Sequence, residues 1–347
     1  MSVQAQYQKK CMSAADAIKA VRHGDTIIVP TGVGEPPTLL TALSEARRDF
    51  NNVTVSQLLP VRKYGYFDPD TAAHVHHSVF FFSGASRTGG KEGWIDFIPA
   101  YFSEIPQLIN QNLMPSDVVF TMASPMDEYG YFSLALAADY TMAAVAKARA
   151  IVLEVNPNVP FAHGNCHVHI SQVTALIESH EPITEVGLPE IGPVQKAIGK
   201  YVAEMIPDGA TLQIGYGGIP DAVVMQLHDK NDLGIHTEMI GDGIMSMVES
   251  GVVTNRYKNF NPGKMLATFA LGSNKLYRFM HRNPALEIHP VDYMNDPYIA
   301  GQNDNLHAIN ATLQIDFLGQ CGSESLGCVP FSGTGGQSDF VRAANRS

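Results

Sequence analysis

One carboxylate stands out as a candidate nucleophile. In the stretch Leu233-Gly-Ile-His-Thr-Glu238-Met-Ile-Gly-Asp-Gly243, Ile235, Thr237 and Met239 alternate with His236, Glu238 and Ile240. This period of two predicts a β-strand, ended by Gly241-Asp242-Gly243, with Glu238 at its mouth. Two further glycine clusters accompany it: Ile214-Gly-Tyr-Gly-Gly-Ile-Pro220 upstream and Ser332-Gly-Thr-Gly-Gly-Gln-Ser-Asp339 near the C-terminus. A carboxylate served by two sets of backbone N–H donors suggests a nucleophile with an oxyanion hole. A carboxylate attacking a thioester gives a mixed anhydride, which keeps the acyl group activated. Serine or cysteine would give an ester or a thioester, so the carboxylate route suits exchange between a thioester and a free acid.

Each of these signals has a plainer reading. A glutamate at a strand end is more often a solvated surface residue, and only the flanking glycines raise Glu238 above that background. The loop Gly215-Tyr-Gly-Gly-Ile-Pro220 has proline where a dinucleotide fingerprint needs glycine or alanine. It remains open as a cradle for an acyl oxyanion or a phosphate. Gly333-Thr-Gly-Gly336 lacks the Gly-Lys-Ser/Thr of a phosphate-binding P-loop. The clusters His74-x-His76-His77 and His163-x-x-Cys166-His167-x-His169 have the residue types of a zinc site. His167 and His169 alternate with Val168 and Ile170, however, as in a half-buried strand, so hydrogen-bonded structural histidines are expected and no metal. Trp94, Tyr64, Tyr66 and Val79-Phe-Phe-Phe82 read as core or interface, and Gly89-Gly-Lys-Glu-Gly93 as a surface turn.

The elements that must position Glu238 come as a repeat. Ala17-Ile18-x-x-Val21-x-x-Gly24-Asp-Thr-Ile-Ile-Val-Pro-Thr-Gly-Val-Gly-Glu-Pro36 is echoed by Tyr201-Val202-x-x-Met205-x-x-x-Gly209-Ala-Thr-Leu-Gln-Ile-Gly-Tyr-Gly-Gly-Ile-Pro220. Each reads as amphipathic helix, glycine turn, buried strand, glycine loop and a second helix starting near proline. The runs Val118–Met122 and Ala150–Val155 add buried parallel strands, with a helix from Tyr140 between them. The expected fold is therefore α/β: two similar open domains with mainly parallel sheets sharing a cleft, residues 1–185 and 186–347, joined by a proline- and glycine-rich linker from Glu181 to Pro193. The repeat starts at Gly24 and Gly209, which lie 185 residues apart, yet 138 remain after Gly209 (347 minus 209). Comparable halves would need roughly 45–50 more residues, so the C-terminal domain is expected to be incomplete at its end.

Composition sets the outer limits. With 347 residues, 45% hydrophobic and 16% charged, the chain is long enough for two ordinary domains and is not disordered. Its 23 basic and 34 acidic residues give a net charge of −11, which argues against a nucleic-acid partner. An anionic cofactor is not excluded, because backbone N–H groups bind phosphates. Cys11, Cys166, Cys321 and Cys328 form no C-x-x-C pair and read as reduced core thiols of a cytoplasmic protein. The N-terminus has no apolar export segment, and no run of 18 apolar residues suggests a membrane span.

At these residues the chain resembles the class I coenzyme A transferases, in the acetyl-CoA hydrolase/transferase branch that includes 4-hydroxybutyrate and butyryl/acetate CoA-transferases. The resemblance runs along nearly all of the chain. Ser124-Pro-Met-Asp-Glu-Tyr-Gly-Tyr-Phe-Ser-Leu134 is similar to the family's "SPxDxxGYFS", and Glu238 falls on its catalytic glutamate. Gly215-Tyr216-Gly217-Gly218-Ile219 falls on its glycine loop. Ala308–Gln320 matches the segment before the final loop, and Gly333-Thr334-Gly335-Gly336 resembles the CoA-binding loop. The resemblance implies a ping-pong transfer of CoA between a short-chain acyl-CoA (acetyl-, butyryl- or succinyl-CoA) and a small acid such as 4-hydroxybutyrate, butyrate or itaconate. Glu238 would carry the covalent intermediates, with backbone donors near Gly217 and Gly335. CoA would be co-substrate, with no resident metal or redox cofactor, in a homodimer or higher oligomer. An acyl-CoA hydrolase and a non-catalytic CoA-binding protein are the alternatives.

Overall fold

Strands rich in Val and Ile, buried on both faces, build the first half. In the computed structural model, which describes residues 2–187 and 190–347, seven parallel strands form one sheet. Its order is Ala175–Glu178, Ala150–Val155, Val118–Ala123, Thr26–Val29, Val53–Gln57, Val75–Val79 and Ile95–Phe97. Side chains alternate across it. Ile27 and Val29 face a core shared with Leu39, Leu40 and Leu43 of the helix Pro37–Glu45. Ile28 and Val119 face a second core shared with Ala144 and Val145 of the helix Thr141–Lys147. Covering both faces is what allows continuous apolar strands in a parallel sheet.

The second half repeats the device on a smaller scale. Leu306–Ile309, Thr211–Ile214 and Gly234–Ile235 pair in parallel, and a bridge from His236 to Leu266 carries the array on to Met265–Ala267 and Leu286–Ile288. His163–Gly164, from the first half, closes the edge beside Leu286–Ile288. Gly164 is required there: its φ is +106°, and a Cβ would collide with the Ile288 carbonyl. The second core also runs on without a break, from Tyr7 and Val119 through Leu212, Ile235 and Met265. The expected linker, residues 181–193, includes Leu188 and Pro189, which lie outside the described residues.

Both copies of the repeat take the same course. Gly24 (φ +81°) and Gly209 (φ +73°) turn the chain into the strands Thr26–Val29 and Thr211–Ile214. The helices Pro37–Glu45 and Gly218–Val224 follow the glycine loops.

Three local expectations are corrected. The segment around Glu238 is two short strands, Gly234–Ile235 and Met239–Ile240, rather than one, and Glu238 sits in the interruption. Its neighbours on both sides of the alternation are buried, including His236, Thr237 and Ile240, because the strand is central and covered on both faces. Gly89–Glu92 is not a surface turn but part of the helix Arg87–Glu92, whose Gly89 and Gly90 lie directly against Ile95 and Phe82. Of the four free cysteines, Cys321 and Cys328 are exposed rather than in the core. They lie on two small antiparallel hairpins, Gln314–Gly322 and Ser325–Pro330, the first of which also exposes Phe317 and Leu318. Among the described residues no helix is long and apolar enough to cross a membrane.

Candidate active site

The residues before Glu238 act as its foundation. Thr237 Oγ1 accepts from the Ile214 N–H and donates to the Ile214 carbonyl, both at 3.1 Å, locking the interrupted strand to the root of the first glycine loop. His236 is buried, and burial pushes its pKa down to about 3, so it is neutral. Asn303 Nδ2 donates to its Nδ1 at 3.1 Å, which leaves the proton on Nε2 to donate to the Met294 carbonyl at 2.9 Å. The Glu238 carbonyl accepts from the N–H groups of Thr268 and Phe269. Gly241 then starts the helix Asp242–Glu249, whose first residue accepts from the N–H and hydroxyl of Ser273.

Holding Met294 places the next residue, Asn295, at the carboxyl. Asn295 Nδ2 donates to Glu238 Oε2 at 2.7 Å. Against the ionised carboxylate the opposite amide orientation would point oxygen at oxygen, so the nitrogen faces Glu238 in the reactive state. The Gly336 N–H is the second donor. A Cβ on Gly336 would overlap both Glu238 Oε2 and Asn295 Nδ2, so only glycine lets the loop backbone come so close. Burial pushes the Glu238 carboxyl up to about 8, aided by the negative charges of Asp339 and Asp139. The two hydrogen bonds oppose that rise but do not cancel it. The residue nevertheless keeps part of its surface exposed.

The C-terminal loop is seated on the first half of the chain. Gly333 lies against the Phe80 carbonyl, and Gly335 (φ +53°) packs beside the Phe81 ring. The Gly335 carbonyl accepts from the Phe102 N–H at 3.1 Å. Thr334 is partly exposed between them. Asp339, one turn on in the helix Gln337–Ala344, accepts from the Ser103 N–H and hydroxyl at 3.1 and 2.8 Å. Burial pushes its carboxyl up to about 6.

The first glycine loop is more open. Gly215 donates its N–H to the Ile309 carbonyl at 2.8 Å and lies close to the Asn310 side chain. Tyr216 is exposed, and Gly217 (φ +129°) has open space where a Cβ would stand. Gly218 and Ile219 begin the helix Gly218–Val224. Thus Gly336 adjoins the carboxylate directly, with Gly335 next to it, while the Gly215–Ile219 loop is tied to it through Thr237 and Ile214. Sequence reading missed Asn295 and Ser103. Asn295 ends the short helix Val291–Met294, where an asparagine reads as an ordinary cap, and Ser103 carries no local signal at all.

The other singled-out residues are structural. His74 pairs with the Phe50 carbonyl, His76 with Asp96 and His167 with the Ala162 carbonyl. Among the described residues no group of three or more His, Cys, Asp or Glu is placed to hold a metal. Asp127 of the Ser124–Leu134 motif accepts from the N–H groups of Tyr129 and Tyr131 and shapes a turn.

The chain is similar along its whole length to enzymes of one kind. The acetyl-CoA hydrolase/transferase N-terminal domain matches residues 1–186, and the C-terminal domain of the same name matches residues 272–347. Succinyl-CoA:cyclohexane-1-carboxylate CoA transferase of Geobacter metallireducens is 47% identical over 100% of this chain and 79% of its own. The 4-hydroxybutyrate coenzyme A transferase of Clostridium kluyveri is 38% identical over 98% of this chain and 80% of its own. Among solved structures, RipA from Yersinia pestis superposes with a TM-score of 0.94 at 34% identity, covering 100% of this chain and 81% of that one. Sequence and fold agree: the chain belongs to the acetyl-CoA hydrolase/transferase family.

Proposed function

We propose that the protein is a CoA-transferase that moves CoA from a short-chain acyl-CoA to a small carboxylic acid, with Glu238 as nucleophile. One observation carries this reading: in a chain of this family, Glu238 is desolvated, partly exposed and, among the described residues, held by two donors, Asn295 and Gly336. A poorly solvated carboxylate is a stronger nucleophile than a hydrated one, and its two donors fix the direction of attack.

The steps balance as follows. A Glu238 carboxylate oxygen bonds to the thioester carbon, the C–S bond breaks, and CoA leaves as thiolate, giving an acyl-glutamyl anhydride. The thiolate attacks the glutamyl carbonyl, releasing the first acid and leaving a glutamyl-CoA thioester. The incoming carboxylate attacks that thioester, and the freed thiolate takes the new acyl group, regenerating Glu238. Backbone donors at Gly336 and Gly335, with those of the Gly217 loop, stabilise the tetrahedral oxyanions. The relatives' named substrates, succinyl-CoA with cyclohexane-1-carboxylate and 4-hydroxybutyrate, support a short acyl donor and a small monocarboxylic acceptor.

The test is to incubate the protein with acyl-CoA, reduce with borohydride and determine the mass of the peptide containing residue 238. The expected result is reduction of the glutamyl thioester to an alcohol at Glu238, absent in Glu238→Gln, whose transfer rate falls by about a thousandfold or more. A Glu238→Gln protein keeping a tenth of the wild-type rate removes Glu238 from this role.

A further inference from the structure

The loop that meets the nucleophile is held from the far side by residues outside the reading above. The Phe102 N–H binds the Gly335 carbonyl at 3.1 Å, and the next residue, Ser103, gives both its N–H and its hydroxyl to Asp339. Two consecutive residues of the N-terminal half therefore grip the glycine turn at one end and the helix that follows it at the other. In a trans peptide the carbonyl and the following N–H point in opposite directions. Fixing the Gly335 carbonyl on Phe102 thus turns the Gly336 N–H the other way, onto Glu238. Asp339 is fully buried and also takes a hydrogen bond from Asn295, the side chain whose Nδ2 holds Glu238 Oε2. Asp339 thereby links Ser103 to Asn295, one of the two supports of the nucleophile, while the other, Gly336, is set through the Phe102–Gly335 bond.

We infer that Ser103 and Asp339 form a positioning pair that sets the Gly336 N–H and the Asn295 amide on Glu238 and so governs the rate of acyl transfer. The inference rests on Glu238 being the nucleophile. Neither residue touches the reacting atoms; both act through Gly336 and Asn295. The charged groups facing this cluster are Asp139 and Asp339 around Glu238, and Arg342 beside Asp339.

The experiment compares Asp339→Asn, Ser103→Ala and Ser103→Thr with the wild-type protein. Asp339→Asn keeps the volume but loses one acceptor and the charge. Its kcat is expected to fall by about 10- to 100-fold with KM for acyl-CoA within about threefold. Removing the charge lets Glu238 ionise more readily, so the acid limb of its pH profile moves to lower pH. Ser103→Ala is expected to lose rate in the same way, while Ser103→Thr, which keeps the hydroxyl, stays near wild type. An Asp339→Asn protein with unchanged kcat and pH profile overturns the inference, as do Ser103→Ala and Ser103→Thr proteins of equal rate. If Asp339→Asn does not fold, the serine pair decides alone. If wild-type protein yields no glutamyl thioester, the nucleophile reading fails first. If it does and the variants match it, only the positioning pair falls.

Discussion

Two enclosed carboxylates, one in each half, make opposite uses of the same desolvation. Glu35 follows the Gly32–Gly34 turn of the N-terminal repeat, is buried, and has a carboxyl raised to about 7. Four donors satisfy it: Gln57 Nε2 at 2.8 Å, the Val61 and Arg62 N–H groups at 3.2 and 3.1 Å, and the Tyr64 hydroxyl at 3.1 Å. Glu238 is raised further, to about 8, yet has two donors and an open side. Burial alone therefore does not mark a reactive carboxylate. What separates them is how many lone pairs the fold leaves unfilled, and whether that vacancy faces outward.

Crowding the second carboxylate is the strongest way to test this contrast. Gly336 has φ −99°, so alanine there meets no backbone strain and acts only by pushing Glu238 and Asn295 apart. Gly336→Ala is expected to lower kcat by about 100-fold or more. Gly217→Ala, strained at φ +129° but in open space, should cost about 1 kcal/mol of stability and less activity. Steady-state turnover and thermal melts of the two proteins check this, and equal loss of turnover would show that the contact with Glu238 is unimportant.

Emptying the first carboxylate should do the reverse. Glu35→Ala strands four donors, so unfolding free energy is expected to drop by about 3 kcal/mol in denaturant titrations. Folded protein should still form the Glu238 adduct. Loss of the adduct at unchanged stability would give Glu35 a role in the reaction.

The smallest effect separates charge from structure. Attack needs ionised Glu238, so kcat/KM should rise about tenfold per pH unit up to an acid limb near 8. Stability moves the other way. The folded chain holds this proton more tightly than the unfolded chain does. Its contribution is therefore complete below the ordinary value of 4.5 and is lost as pH rises through about 8. Glu238→Gln should flatten that part of the melting-temperature profile. An acid limb near 4.5 would mean that the carboxyl is solvated in the working enzyme.

Much of this was legible in the residues. The repeat from Gly24 and Gly209 determined two strand-loop-helix units, because a left-handed glycine, an apolar run and a proline-started helix are local properties. The runs Val118–Met122 and Ala150–Val155 determined buried parallel strands for the same reason. Glu238 could be singled out because glycines flank it in the chain. Tertiary structure alone decided its environment. Asn295 lies 57 residues from Glu238 along the chain, and Asp339 lies 236 residues from Ser103. No periodicity links residues so far apart. The break between Gly234–Ile235 and Met239–Ile240 was likewise invisible, since an alternating pattern cannot report that both faces of a central strand are covered. Local chemistry named the carboxylate. Long-range packing chose how many donors it would lack.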